Sequence, residues 1–95
     1  MPADDIRHDP AHHRFMIEAD GAVGALYYRL APGVITFYHT EVPAALGGRG
    51  IASKLARHGL DYAREQGLRV VATCPFVSAY MKKHPEYDDL LTAGV

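Results

Sequence analysis

The sequence predicts a mixed α/β (α+β) domain: a three-stranded antiparallel meander, a crossover helix, a parallel fourth strand and a C-terminal helix. Three observations predict it. Stretches rich in β-branched and aromatic residues fill the first half of the chain, separated by the turn pairs Asp20-Gly21 and Pro32-Gly33. Behind them, from Arg49 or Gly50 to Gln66, apolar residues recur at helical spacing. Between strand and helix stands Leu46-Gly-Gly-Arg-Gly-Ile-Ala-Ser-Lys-Leu55, with three glycines around one arginine.

Each element has its own warrant. His13 to Ala19 alternates loosely, and Ala22 to Leu30 is its hairpin partner across Asp20-Gly21. The third strand, Gly33 to Val42, is expected to put Ile35, Phe37, His39 and Glu41 on one face, with Val34, Thr36, Tyr38, Thr40 and Val42 on the other. The helix places Ile51, Ala52, Leu55, Ala56, Gly59, Leu60 and Ala63 on one stripe, and Gly67 suits its C′ position. Leu68 to Cys74 is a short apolar strand reached through a helical crossover, so it should lie parallel to the third strand. Pro75 opens a second helix over Phe76 to Lys83, Pro85 ends it, and Glu86 to Leu91 forms a last helical turn. Met1 to His12 carries two prolines and little apolar pattern, and reads as a flexible leader ahead of a single domain over residues 13–95.

Size and composition exclude several classes. At 95 residues, folding buries roughly 60 to 65% of the unfolded chain's surface, which excludes a second core. A net charge of −1 offers no field that would gather nucleic acid, so none is expected as a partner. No apolar run approaches the roughly 18 residues of a membrane span, and Met1 to Pro10 carries acids and histidines where a signal peptide would need bases and then an apolar stretch, so none is expected. The single cysteine, Cys74, has no internal disulfide partner, in keeping with a reducing, cytoplasmic location. A monomer or weak homodimer is expected.

The Gly-rich turn points to an anion. Glycines let backbone N–H groups converge without Cβ obstruction, and the free amides and positive dipole end of a helix start favour negative charge. The order strand, Gly-rich loop, helix therefore predicts a phosphorylated cofactor. The plainer reading is a tight turn with Arg49 as a solvated surface residue.

Gly47-Gly48-Arg49-Gly50-Ile51-Ala52 resembles the signature of the GNAT acetyltransferase superfamily, Gln or Arg, two variable residues, Gly, one variable residue, then Gly or Ala. The last three positions match and the first departs, carrying Gly47. His39-Thr-Glu-Val42, Thr73-Cys-Pro-Phe-Val77, Tyr80 and His84-Pro85 further resemble a family of very small stand-alone GNAT-like proteins. The resemblance spans about Phe15 to Leu91 and implies a reduced GNAT-like fold that binds acetyl-CoA (or CoA) and transfers acetyl to an amine, small or protein-borne. It implies a pantetheine arm pairing with Thr40 to Val42 between splayed strands. The diphosphate would rest on the amides of Gly48, Arg49, Gly50, Ile51 and Ala52, with Arg49 and Lys54 neutralising charge.

Acetyl transfer needs a deprotonated amine, a polarised thioester carbonyl and an acid for the departing thiolate. Glu41, at the end of the third strand, is a candidate base, and His39 is its alternative; each also reads as an ordinary strand residue. Cys74 precedes a helix whose dipole favours a thiolate, making it a candidate acetyl carrier, or else a small core residue. Tyr80 resembles the tyrosine that protonates the CoA thiolate in many GNAT enzymes, or packs as an aromatic. So short a chain is expected to lack walls for the acceptor, leaving an open, shallow groove. Two functions from different classes therefore stand: an acetyl-CoA-dependent N-acetyltransferase, with transfer either direct or through a cysteine, and a non-catalytic CoA or acyl-CoA binding module.

Overall fold

The computed structural model describes residues 6–19, 21–47 and 50–91. Five strands form one sheet in chain order: β1 (Ile6–Asp9), β2 (Arg14–Ala19), β3 (Ala22–Ala31), β4 (Val34–Glu41) and β5 (Arg69–Ala72). The first four pair antiparallel, and β5 runs parallel to β4. Helix α1 (Ile51–Glu65) is the crossover, α2 (Pro75–Lys83) follows β5, and a 3-10 segment covers Pro85–Leu90. The meander, crossover helix, parallel strand and C-terminal helix are as the sequence predicts. Among the described residues no helix is long and apolar enough to cross a membrane.

Residues 6–12 are a correction. Instead of a structureless leader they form β1 and a 3-10 turn over Pro10–His12, with β1 paired to β2 in the register Ile6↔Ile17 through Asp9↔Arg14. The apolar pattern is weak because one inward position is a histidine. His8 stacks on Phe15 at 4.4 Å, meets the edge of Tyr62 at 4.6 Å and hydrogen-bonds the Tyr28 hydroxyl. A half-buried imidazole flanked by rings packs here at the margin of the core, which hydropathy patterning does not register.

Phe15, Ile17, Leu26, Tyr28, Ile35 and Phe37 form the apolar face of the sheet, and α1 lays Ile51, Leu55, Ala56, Leu60 and Ala63 on it. Gly59 lets helix and sheet approach. A Cβ there would stand 2.9 Å from Phe37 Cε1 and 3.1 Å from Leu26 Cδ2. The helix ends as its sequence dictates: Gly67 is left-handed, its N–H bonds the Arg64 carbonyl, and the Leu68 N–H bonds the Ala63 carbonyl. Arg64 then grips Asp89 through both guanidinium arms, and the Tyr87 hydroxyl donates to Asp61, pinning the last segment to α1. Burial, reinforced by the Asp61 carboxylate, pushes the Tyr87 phenol up to about 12.

A second correction concerns β4. The β3–β4 register slips by one residue between Tyr27 and Tyr28: Phe37 faces Tyr28 and His39 faces Tyr27, leaving Tyr38 as the extra residue of a β-bulge. Beyond the bulge the faces exchange. Thr40, opposite Leu26, turns toward the helices, while His39 and Glu41 join the open face instead of continuing the stripe of Ile35 and Phe37. Strict alternation, on which the sequence expectation rests, holds only up to Phe37.

Two outcomes follow. Gly59→Val drives two methyls into Phe37 and Leu26 and should cost about 1–3 kcal/mol, lowering the melting temperature by roughly 5–20 °C in thermal denaturation. Burial, with the nearby His58, holds the His8 imidazole below its ordinary 6.5. The native state then binds fewer protons than the unfolded chain near and below that pH, so stability falls on acidification. Between pH 7.5 and 5.5 in urea titrations, His8→Phe should lose less unfolding free energy than wild type; equal losses would contradict the lowered affinity of the half-buried imidazole for its proton.

Candidate functional site

The site begins where α1 starts. Gly50 is left-handed (φ 69°) and no side chain caps the helix. The first intrahelical bond runs from the Lys54 N–H to the Gly50 carbonyl at 3.0 Å, so the amides of Ile51, Ala52 and Ser53 have no acceptor within the helix. They lie on a groove of about 310 Å³ whose apolar walls are Val42, Pro43, Ala44, Leu46 and Phe76. Gly24 helps hold this helix end on the sheet, because a Cβ there would meet Ile51 Cγ2 at 3.2 Å. Uncapped amides, a positive dipole end and apolar walls suit an anion attached to an apolar arm.

Next to the groove, β4 and β5 separate. Their pairing runs from Val34↔Arg69 to Phe37↔Ala72 and stops. The Phe37 carbonyl then takes three donors, the Thr73 and Cys74 N–H groups at 3.1 and 3.0 Å and the Thr73 hydroxyl at 3.4 Å, and β5 turns into α2. Past that point His39 to Glu41 keep their pairing with β3, and the edge of β4 facing β5 is left to other partners. Across the gap Thr40 Oγ1 and Cys74 Sγ are 3.2 Å apart. Cys74 is the N-cap of α2, 3% exposed, and among the described residues no polar or charged side chain is buried.

The expected residues separate into three places. Thr40 and Cys74 meet in the gap, and Gly50, Ile51 and Ala52 line the groove with Val42. Gly48 and Arg49 lie outside the described residues, and Lys54 is one turn into α1. His39 and Glu41 stand on the open face of the sheet, His39 stacked on Tyr27 at 5.7 Å. Tyr80 lies about 9 Å along α2 from Cys74 at the helical rise, stacked on His84 at 4.0 Å. Burial pushes its phenol up, so it stays protonated at neutral pH. Sequence reasoning passed over Phe76 and Ser53 as groove residues. Phe76, 37% exposed in the first turn of α2, carries its signal in being a large apolar residue beside Cys74 that no core stripe claims.

Residues 14–90 match the family model of the GCN5-related N-acetyl-transferases. The chain belongs to that family. Human Protein NATD1 is 34% identical over 83 residues, covering 84% of this chain and 74% of the human protein. Its counterpart in Xenopus tropicalis is 34% identical over 89 residues, covering 88% and 82%. A GCN5-like protein of Staphylococcus aureus, solved in solution by NMR, superposes with a TM-score of 0.75 at 29% identity, covering 97% of this chain and 91% of that one. The resemblance carried by the Gly-rich turn and the Cys74 segment is thus that of a small member of the GCN5-related family, and its fold is the one observed. The family match opens at Arg14, so β1 precedes it.

The burial of Cys74 has a direct readout. Iodoacetamide should alkylate it at least about tenfold more slowly in the native protein than in urea, since a thiol packed in the core is shielded from reagent. Equal rates would mean that the gap between β4 and β5 stands open to solvent.

Proposed function

We propose that this chain is an acetyl-CoA-dependent N-acetyltransferase whose acetyl group passes through Cys74 to an amine. The observation that carries the reading is the uncapped start of α1, opening on an apolar groove that adjoins the released edge of β4. In this reading the amides of Ile51, Ala52 and Ser53 hold the diphosphate, and the Arg49 and Lys54 charges neutralise it. Pantetheine lies along Thr40 to Val42 against Pro43 and Phe76. The substrate thioester then enters the gap at Thr40 and Cys74.

The chemistry follows in two steps that balance. Cys74 sulfur bonds to the acetyl carbon as the bond to CoA sulfur breaks, and the thiol proton ends on the CoA thiolate, with Tyr80 as a candidate donor by way of water. The amine nitrogen then bonds to the acetyl carbon as the bond to Cys74 breaks. The acceptor ammonium loses one proton before attack and one after it; one returns to Cys74 and the other goes to solvent through His39 or Glu41. A reducing, cytoplasmic setting suits the lone thiol.

A second reading has its own support. Cys74 is nearly enclosed and Tyr80 rests on His84 at the far half of α2, an arrangement that suits a non-catalytic CoA or acyl-CoA binding module. Mass spectrometry after mixing with acetyl-CoA separates the two: an acetyl adduct on Cys74, absent in Cys74→Ala, is expected of the enzyme. A protein that binds CoA but forms no adduct and turns over no amine would be the module.

The cofactor site is tested apart from the chemistry. Saturation at a hundredfold over the dissociation constant should stabilise the fold by about 2.7 kcal/mol, a shift of roughly 10–20 °C. Ala52→Glu places a carboxylate beside the amides without straining Gly50. An acid in the first turn favours the helix by about 0.3–1 kcal/mol, so the melting temperature should hold or rise while CoA affinity falls about tenfold or more. Unchanged affinity would remove the diphosphate from this helix start.

A further inference from the structure

The open face of the sheet carries a lateral row that the reaction just proposed leaves unexplained. Asp9 on β1 stands opposite Arg14 on β2, Arg14 opposite Tyr27 on β3, and Tyr27 opposite His39 on β4. The residues are joined as well as aligned. Arg14 Nε donates to Asp9 Oδ2 at 3.0 Å, and the Tyr27 ring, across from Arg14 on the next strand, stacks on the His39 imidazole at 5.7 Å and 25°. His12 Nδ1 meets the same Asp9 oxygen at 2.9 Å, closing the outer end.

The inner end of the row is His39, and the bulge puts it there. Tyr38 is the extra residue, so Tyr38 and His39 both turn to the open face immediately after the Phe37 carbonyl where β5 departs. Without the bulge His39 would turn toward α1, out of reach of Tyr27. A flexible surface histidine needs none of this support.

We propose that Arg14 and Tyr27 are positioning residues for His39, which takes the proton of the acceptor amine at the mouth between β4 and β5. This rests on the N-acetyltransferase reading. Asp9 orients Arg14, Arg14 flanks Tyr27 from the neighbouring strand and restrains its ring plane, and that plane sets the imidazole. His39 accepts one proton from the ammonium, leaving the nitrogen lone pair free to attack the acetyl carbon, and passes the proton to solvent. Strand β1, which precedes the family match, becomes the outer anchor of the row.

The imidazole itself reports the row without any substrate. In proton NMR the His39 ring protons should be displaced upfield by the Tyr27 ring current. Tyr27→Leu should abolish that displacement, Tyr27→Phe should keep it in part, and Arg14→Met should shrink it while leaving the ring present. His39 shifts that ignore Arg14→Met would overturn Arg14 as a positioning residue. With acetyl-CoA and poly-L-lysine, His39→Asn should lower kcat about a hundredfold and Tyr27→Leu at least about tenfold, with the KM for acetyl-CoA unchanged. The double variant should be no slower than His39→Asn; independent, multiplying losses would overturn the coupling. A wild-type protein that fails to bind CoA in calorimetry would sink the transferase reading instead, and the ring-current result would still show whether the row holds His39.

Discussion

The Phe37 carbonyl is the hinge on which the architecture turns. It ends the parallel ladder by accepting the Thr73 and Cys74 amides, which sends β5 into α2. One residue later the Tyr38 bulge inverts β4 against β3. Together these events open a gap between two strands that would otherwise zip together, turn Thr40 toward Cys74, and turn His39 and Glu41 to the other side. A backbone edge released from its neighbour inside a sheet has unmet hydrogen-bonding capacity, the feature that a chain-like ligand with amide groups can satisfy.

The core explains why the gap survives. α1 presses its whole apolar stripe onto the sheet at the one place where a glycine lets Phe37 pass beneath it. The last segment is tied back onto α1 by Arg64 with Asp89 and by Tyr87 with Asp61. Both ends of the β4–α1–β5–α2 unit are thereby fixed, while its middle carries the uncapped helix start and the strand separation. Packing elsewhere can tolerate missing pairing here because the apolar face is complete without it.

Much of this was legible in the residues. The turns at Gly21, Gly33 and Gly67 are left-handed glycines that the sequence announces, and the stripe of α1 is buried nearly residue for residue as its periodicity requires. The Gly-rich turn ahead of a helix gave the place of the groove. Two features were not legible, for physical reasons. A β-bulge depends on the pairing of two strands, so nothing local to Val34-Ile-Thr-Phe-Tyr-His-Thr-Glu41 marks Tyr38 as the extra residue, and simple alternation puts His39 and Glu41 on the wrong face. β1 escapes local patterning because its inward histidine is half-buried against Phe15, Tyr28 and Tyr62, partners that are distant in sequence. Membership of the GCN5-related family was readable from short motifs whose meaning came from their order along the chain.

One experiment reaches the centre of this account: a titration of isotope-labelled protein with CoA, followed through its backbone amide resonances. The account expects the largest shifts at Ile51, Ala52 and Ser53 and along Thr40 to Val42, with little change at β1 or at the Arg64–Asp89 tie. Saturable binding that moves amides elsewhere and leaves both of those stretches still would contradict it.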